Sequence, residues 1–278
     1  MADAPALEVE ILAIADDTLP DRLYALLDDY QPAAIHESDT GAGWRVFFRS
    51  SAQRDAAHHA LASIKGIRTA SLDVPDEDWA RRSQQDLHAI EAGKLVIAPP
   101  WDVPRRLPDA QKLVIIIEPS TGFGTGHHAT TRLCLRMMQR LELRGARVLD
   151  IGTGSGVLAL AAWKLGAEDV VAIDNDPDAL ENARDNIARN GAAPSIDVIR
   201  DDLGGLRIQR ADVVLANLTG AVLVRYAGEL RGLAVDGGYL ILSGFAPDDV
   251  PVIRTAFAGL QVIAQDSEAD WASLTLRV

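Results

Sequence analysis

The ten residues Arg147-Val-Leu-Asp-Ile-Gly-Thr-Gly-Ser-Gly156 constrain this chain more than any others, because they prescribe a buried strand, a carboxylate, three alternating glycines and the start of a helix. Val148, Leu149 and Ile151 supply the short apolar run of a central parallel strand, and Val157 to Leu165 carries apolar residues at helical spacing. Gly152, Gly154 and Gly156 permit backbone conformations that a Cβ forbids and let a ligand approach the main chain. Strand, glycine turn and helix in that order form a nucleotide-cofactor turn at the carboxyl edge of a sheet.

Spacing narrows the cofactor. A dinucleotide turn needs G-x-G-x-x-G, and its third glycine would fall at Val157, so the fit fails. The observed D-x-G-x-G-x-G, with Asp150 two residues before Gly152, resembles instead the pattern of class I S-adenosylmethionine-dependent methyltransferases. That ligand offers a ribose diol, an adenine, and a methionine part with ammonium, carboxylate and sulfonium. The next strand, Asp169 to Ile173, ends at Asp174, beside the glycine turn, where Asp174 is expected to accept both ribose hydroxyls. Asp176, one residue before Pro177, reads as the cap of the following helix.

The 278 residues exceed one typical domain, and 48% hydrophobic content is ample for sizeable cores. Neither an 18-residue apolar run nor a signal-peptide pattern occurs at the start, so a cytoplasmic protein with no membrane contact is expected. The single cysteine, Cys134, lies among Leu133, Leu135 and Met137, where burial is the expectation. With 40 acidic against 27 basic residues the surface repels nucleic acid phosphate, so a basic polypeptide is the expected partner and direct nucleic acid binding is not.

Residues 1–75 read as strand Leu7 to Ile14, helix Leu19 to Tyr30, strand Ala33 to Glu37, strand Trp44 to Arg49, helix Ala52 to Ile64 and strand Ile67 to Val74. The order βαββαβ is that of a ferredoxin-like module. His58 and His59 are adjacent on a helix and cannot form an i, i+4 metal pair; a solvated surface is expected for them. Pro75 to Ile90 reads as a charged amphipathic helix anchored by Trp79 and Leu87, which gives a linker helix over 76–94 and a second domain over 95–278. Leu95 to Ile97 and Leu113 to Ile117 read as strands at the entrance of that domain.

The segment Glu118 to Thr131 is dense in glycine and hydroxyl groups and precedes a helix beginning near Thr130, a layout that suits a mobile lid or an anion-holding helix start with Thr131 at the methionine carboxylate. A plain cap by Thr130 or Thr131 is the alternative. His127 and His128 lack Cys, Asp or Glu at ligand spacing, so no metal is expected. Farther on, Ala211 to Asn217 reads as the fourth strand, beside the first, which places Asn217 over the methyl end of the cofactor; helix capping is its alternative role. Asp201 follows the third strand, Ile196 to Ile199, and reads either as an adenine contact or as a solvated loop carboxylate. Strands Tyr239 to Leu242, Gln261 to Gln265 and Ser273 to Val278 complete seven, with helix Pro247 to Phe257 between the first two.

Together Gly122-Phe-Gly-Thr-Gly-His-His-Ala-Thr-Thr131, Val148 to Ala159, Ile173-Asp-Asn-Asp-Pro177 and Val213 to Leu218 resemble the PrmA family, bacterial methyltransferases of large-subunit ribosomal protein eleven. Asp78-Trp79, Val96 to Trp101, Gly237 to Gly244 and Asp270-Trp271 extend the resemblance over almost the whole chain. It implies an α/β fold of the class I methyltransferase type, a doubly wound seven-stranded sheet with the last strand antiparallel, and a smaller N-terminal α+β domain that recruits the substrate. It also implies a monomer using S-adenosyl-L-methionine, contacted by Thr131, Gly152, Gly154, Asp174 and Asn217, with Asn217 facing the lysine or α-amino acceptor. The chain departs from the family pattern at His127 and Ala129, where Thr and Pro are usual, and at Ser120 to Gly122. A methyltransferase of the same fold acting on another protein or a small amine is the alternative; a nicotinamide oxidoreductase and a non-enzymatic binding module are more distant ones.

Overall fold

The computed structural model describes residues 4–12, 19, 23, 26–27, 30, 32–37, 43–62, 64, 66–74, 87–104, 111–119 and 127–278, and the chain divides into two compact units, Met1–Asp86 and Leu87–Val278.

In the first unit, β1 (Ala4–Ile11), β2 (Ala34–Glu37), β3 (Gly43–Phe47) and β4 (Ile67–Val74) form an antiparallel sheet of order β2-β3-β1-β4. Leu7, Val9 and Ile11 alternate toward one face of β1, where they meet Val46, Phe48, Ala57 and Leu61. Ala57 and Leu61 come from α1 (Ser51–Leu61), which starts where the Ser50 side chain accepts a hydrogen bond from the Gln53 amide. Leu19, Leu23 and Leu27 recur every four residues and are all buried in the same cluster, as one face of a helix requires. This strand order is that of the ferredoxin-like module.

The second unit opens with β5 (Ile90–Ala92), antiparallel to β6 (Leu95–Ala98), which in turn runs parallel to β7 (Leu113–Ile116). Here the linker-helix expectation over 76–94 is corrected. Residues 75–86, Trp79 among them, lie outside the described residues, but Leu87 to Ala89 is not helical and Ile90 begins a hairpin turning at Gly93. Gly93 has φ +62°, a conformation suited to a tight turn and not to a continuing helix.

The main sheet has seven strands: β8 (Arg147–Ile151), β9 (Asp169–Asp174), β10 (Ile196–Arg200), β11 (Ala211–Asn217), β12 (Ala234–Phe245), β13 (Gln261–Glu268) and β14 (Trp271–Arg277). Their order is β10-β9-β8-β11-β12-β14-β13, with β14 antiparallel to both neighbours. It is the doubly wound sheet of the class I methyltransferase type. Helices cover both faces, so alternate residues of one strand enter different cores: Val148 packs with Leu158 and Leu160 of α3 (Val157–Lys164), whereas Leu149 and Ile151 pack with Leu223 of α5 (Gly220–Arg225) and Leu230 of α6 (Ala227–Leu233). The remaining helices are α2 (Ala129–Met138), α4 (Pro177–Arg189) and α7 (Val250–Ala256). Cys134, on α2, is buried, and burial pushes its thiol up to about 12. Among the described residues no helix is long and apolar enough to cross a membrane.

Sheet order reverses between β8 and β11, and the register Leu215 to Asp150, Ala216 to Ile151 brings the two tips level. Behind them the chain is tight: Gly244 has φ +100°, and a Cβ there would lie 2.2 Å from the Leu218 carbonyl oxygen. Gly244→Ala is therefore expected to destabilise the second unit by about 1–3 kcal/mol, lowering its melting temperature by roughly 3–10 °C in calorimetry. An unchanged melting temperature would show that this backbone contact relaxes freely.

Candidate functional site

Hydrogen bonds from two strands shape the glycine turn. The amides of Gly152 and Thr153 both donate to the Ile173 carbonyl, at 2.8 and 2.9 Å, and the Gly154 amide donates to Asp174 Oδ2 at 3.0 Å. All three glycines have positive φ: 69°, 53° and 81°. Gly156 serves as the N-cap of α3 with φ +81°, a conformation that favours glycine, and packs against Ala183 of α4.

Asp174 is thus held at the tip of β9. Its Oδ1 accepts from the Asp176 amide at 3.1 Å while Oδ2 takes Gly154, so each oxygen keeps one acceptor direction for a further donor. Asp176 caps α4 through the Asp178 amide at 3.0 Å, as its position before Pro177 suggested. The Asp201 side chain accepts from the neighbouring Asp202 amide at 2.8 Å.

Across the sheet's reversal point, Asn217 ends β11 and its Nδ2 reaches Thr131 Oγ1 at 3.5 Å, a long hydrogen bond joining residues 86 positions apart. Asn217 is not a helix cap; Thr219 occupies that position for α5. Nor does either threonine cap α2. His128 does so: its Nδ1 accepts from the Thr130 amide at 3.4 Å and stands 2.8 Å from Thr130 Oγ1, and its carbonyl takes the Thr131 and Arg132 amides. Those first-turn donors are therefore already engaged, which leaves the buried Thr131 hydroxyl, not an open row of amides, as what the helix start presents. An imidazole nitrogen that accepts carries no proton, and His128 suits this: burial first, then the Arg132 charge, lowers its pKa below 6.5.

His127 places Nε2 2.7 Å from the His88 carbonyl, and the His128 ring meets Trp271 edge-on at 4.8 Å. Among the described residues no group of three or more His, Cys, Asp or Glu is gathered to hold a metal ion. Residues 120–126, the middle of the expected lid, lie outside the described residues.

The residue pattern marked Asp150 only as the acidic start of the glycine motif, and it did not mark Asn186 at all. Asp150 is 1% exposed; its Oδ2 accepts from Thr153 Oγ1 at 2.7 Å and the Ala159 amide at 3.0 Å, yet Oδ1 has no partner among the described residues. Burial drives its pKa from 3.8 to about 6, against the pull of the two hydrogen bonds. The signal was present, since a carboxylate ending an otherwise apolar parallel strand is costly unless something neutralises it. Asn186, fully buried on α4, donates to the Ser155 carbonyl at 3.0 Å and accepts from the Glu118 amide at 2.8 Å, tying the glycine turn to the chain beyond β7. Asn190 grips the Ile116 backbone through both its amide atoms.

A family profile described as ribosomal protein L11 methyltransferase (PrmA) matches residues 32–278. The chain belongs to this family. The ribosomal protein L11 methyltransferase of Geobacter sulfurreducens is 42% identical over 265 residues, covering 90% of this chain and 86% of that one; the Azotobacter vinelandii protein of the same name is 35% identical over 96% of both. A crystal structure of ribosomal protein L11 methylase from Lactobacillus delbrueckii subsp. bulgaricus aligns with a TM-score of 0.64 at 29% identity, over 68% of this chain and 98% of that one.

Asp150 makes a prediction with a definite sign. Its folded pKa lies above the unfolded value, so between about pH 4 and pH 6 the folded state binds more protons and stability falls as pH rises. Relative to Asp150→Asn, the wild type is expected to lose about 2 kcal/mol of unfolding free energy across that window. Denaturant titrations of both proteins at pH 4 and pH 7 measure the difference, and parallel curves would refute the shift.

Proposed function

We propose that this chain transfers methyl groups from S-adenosyl-L-methionine to lysine side-chain or α-amino nitrogens of ribosomal protein L11. The observation that carries this reading is the meeting of four groups at one sheet edge: the positive-φ glycine turn, the pinned Asp174, the unpartnered Asp150 oxygen, and the Asn217–Thr131 pair. Membership of the L11 methyltransferase family supports the choice of acceptor.

The residues suit the donor's chemistry. Asp174 keeps two acceptor directions, which suits a ribose diol, and Gly152 and Gly154 offer backbone free of side chains. The lone oxygen of Asp150 suits an ammonium group, whose positive charge would offset the burial that now disfavours the ionised carboxylate. Thr131 adds a buried hydroxyl for the carboxylate end. When bound, S-adenosylmethionine supplies an electrophilic methyl group on a sulfonium.

An acceptor ammonium has no lone pair, so a pocket poor in water must favour the neutral amine. Asn217 then orients it: with Nδ2 directed at Thr131, the amide oxygen is left to accept an amine N–H and aim the lone pair. Orientation of this kind supplies much of the acceleration of a direct displacement, which needs no covalent intermediate with the protein. No dedicated base is required if the proton leaves to water before transfer. The acidic surface, at net charge −13, attracts a basic ribosomal protein and repels RNA phosphate, which fits a monomeric cytoplasmic enzyme acting on the protein.

The decisive experiment is transfer of a labelled methyl group to purified ribosomal protein L11, with mass spectrometry to locate it. Label on lysine or the amino terminus is expected; label only on another protein or a small amine would overturn the assigned acceptor, and no label at all the activity. Asp174→Ala is expected to weaken donor binding by about 1.5–3 kcal/mol, read by calorimetry. Asn217→Ala is expected to lower turnover at saturating substrates by roughly ten- to a hundredfold; full turnover would remove it from the chemistry.

A further inference from the structure

The helix that presents Thr131 is held from outside the site by a ladder of charges. Arg132 and Arg136 lie four residues apart on one face of α2, and Arg140 follows in the turn just past its C-cap Gln139. Opposite them, the end of β13 carries Asp266 and Glu268 on alternate positions of one strand face. Arg132 Nε donates to Glu268 Oε1 at 2.6 Å, Arg136 Nη2 to Glu268 Oε2 at 2.5 Å, and Arg140 Nη2 to Asp266 Oδ2 at 3.2 Å. Glu268 thus holds two guanidinium groups at once and is only partly exposed, 27% by side chain. Burial pushes its carboxyl up, but the hydrogen bonds and charges of Arg132 and Arg136 outweigh this and hold it below the usual carboxylate range.

The two ends of this ladder differ in what lies beyond them. Arg140, at the distal end, is half exposed, and it also contacts Met137 in the last turn of α2. Arg132, at the near end, also donates through Nη1 to the His127 carbonyl, the residue directly before the cap of α2. The same hairpin supplies Trp271, three residues after Glu268, to the edge of the His128 ring. Glu268 and Trp271 therefore fix the two residues that start α2, and Thr131 lies one turn farther along, against Asn217.

We propose that Glu268 is a positioning residue for methyl-donor capture: acting through Arg132 and the His127 carbonyl, it sets the first turn of α2 so that the Thr131 hydroxyl meets Asn217 at the reversal point of the sheet. This rests on the reading that the glycine turn binds S-adenosylmethionine. Glu268 touches neither donor nor acceptor. Its effect is on where Thr131 stands, so loss of the carboxylate alters donor binding more than the rate of transfer once the donor is seated.

The test compares Glu268→Ala, Glu268→Gln and Arg140→Ala by calorimetry with S-adenosylmethionine, by KM and kcat, and by melting temperature. Glu268→Ala is expected to weaken donor affinity and raise donor KM by about tenfold with kcat within about twofold, because small misplacement of a binding group is costly. Glu268→Gln, which keeps a neutral acceptor for Arg132, is expected to recover part of that loss. Arg140→Ala breaks an ion pair in the same ladder and is expected to leave donor affinity within about twofold. Wild-type affinity in Glu268→Ala, or equal loss of affinity in Glu268→Ala and Arg140→Ala, would overturn the proposal while leaving donor binding itself intact. A wild-type protein that binds no donor would overturn both.

Discussion

A carboxylate closed off from water at the tip of a parallel strand is the constraint on which this molecule turns. Asp150 sits between two apolar faces, receives only two of the hydrogen bonds it can accept, and is far less acidic than an ordinary aspartate. An ionised carboxylate so enclosed is costly, and its two hydrogen bonds offset only part of that cost. The glycine turn follows from it. Thr153, within that turn, and Ala159, in the first turn of α3, hold the carboxylate, and the three positive-φ glycines bring both back to Asp150 within nine residues.

From that point the site is assembled by contacts of increasing sequence separation. The turn is stapled to β9 through Ile173 and Asp174, to α4 through Asn186, and faces β11 through the register of Asp150 with Leu215. None of these requires a loop to find its own conformation. Asp174, Asn217 and Thr131 lie on strand ends and a helix start, whose positions are set by the two cores on either face of the sheet.

Legibility in the amino-acid pattern tracked this hierarchy. Strand, glycine turn and helix were readable because each is dictated by neighbours within a few residues, and the placements of Asp174 and Asn217 followed from the rule that open parallel sheets bind at the reversal point. Of the hairpin at Gly93, the strand Leu95 to Ile97 was legible, but Ile90 to Ala92 was placed in the linker helix because three residues are too short to show a period. The His128 cap was missed because imidazole is an uncommon acceptor there, whereas two threonines beside it are ordinary ones. Asn186 and the Glu268 ladder left no local trace: their partners lie 31 to 136 positions away, and only the folded chain brings them together.

The imidazole cap has a consequence for behaviour in acid. A ring that must accept a proton-bearing amide cannot itself be cationic, so acidification from pH 6.5 downward charges the unfolded ring first and draws the start of α2 toward unravelling. Asp150, on β8, responds in the opposite sense and favours the folded form as it gains its proton. Two weak acids of unlike charge type thus act on the stability of the second unit in opposite senses as the solution becomes mildly acidic.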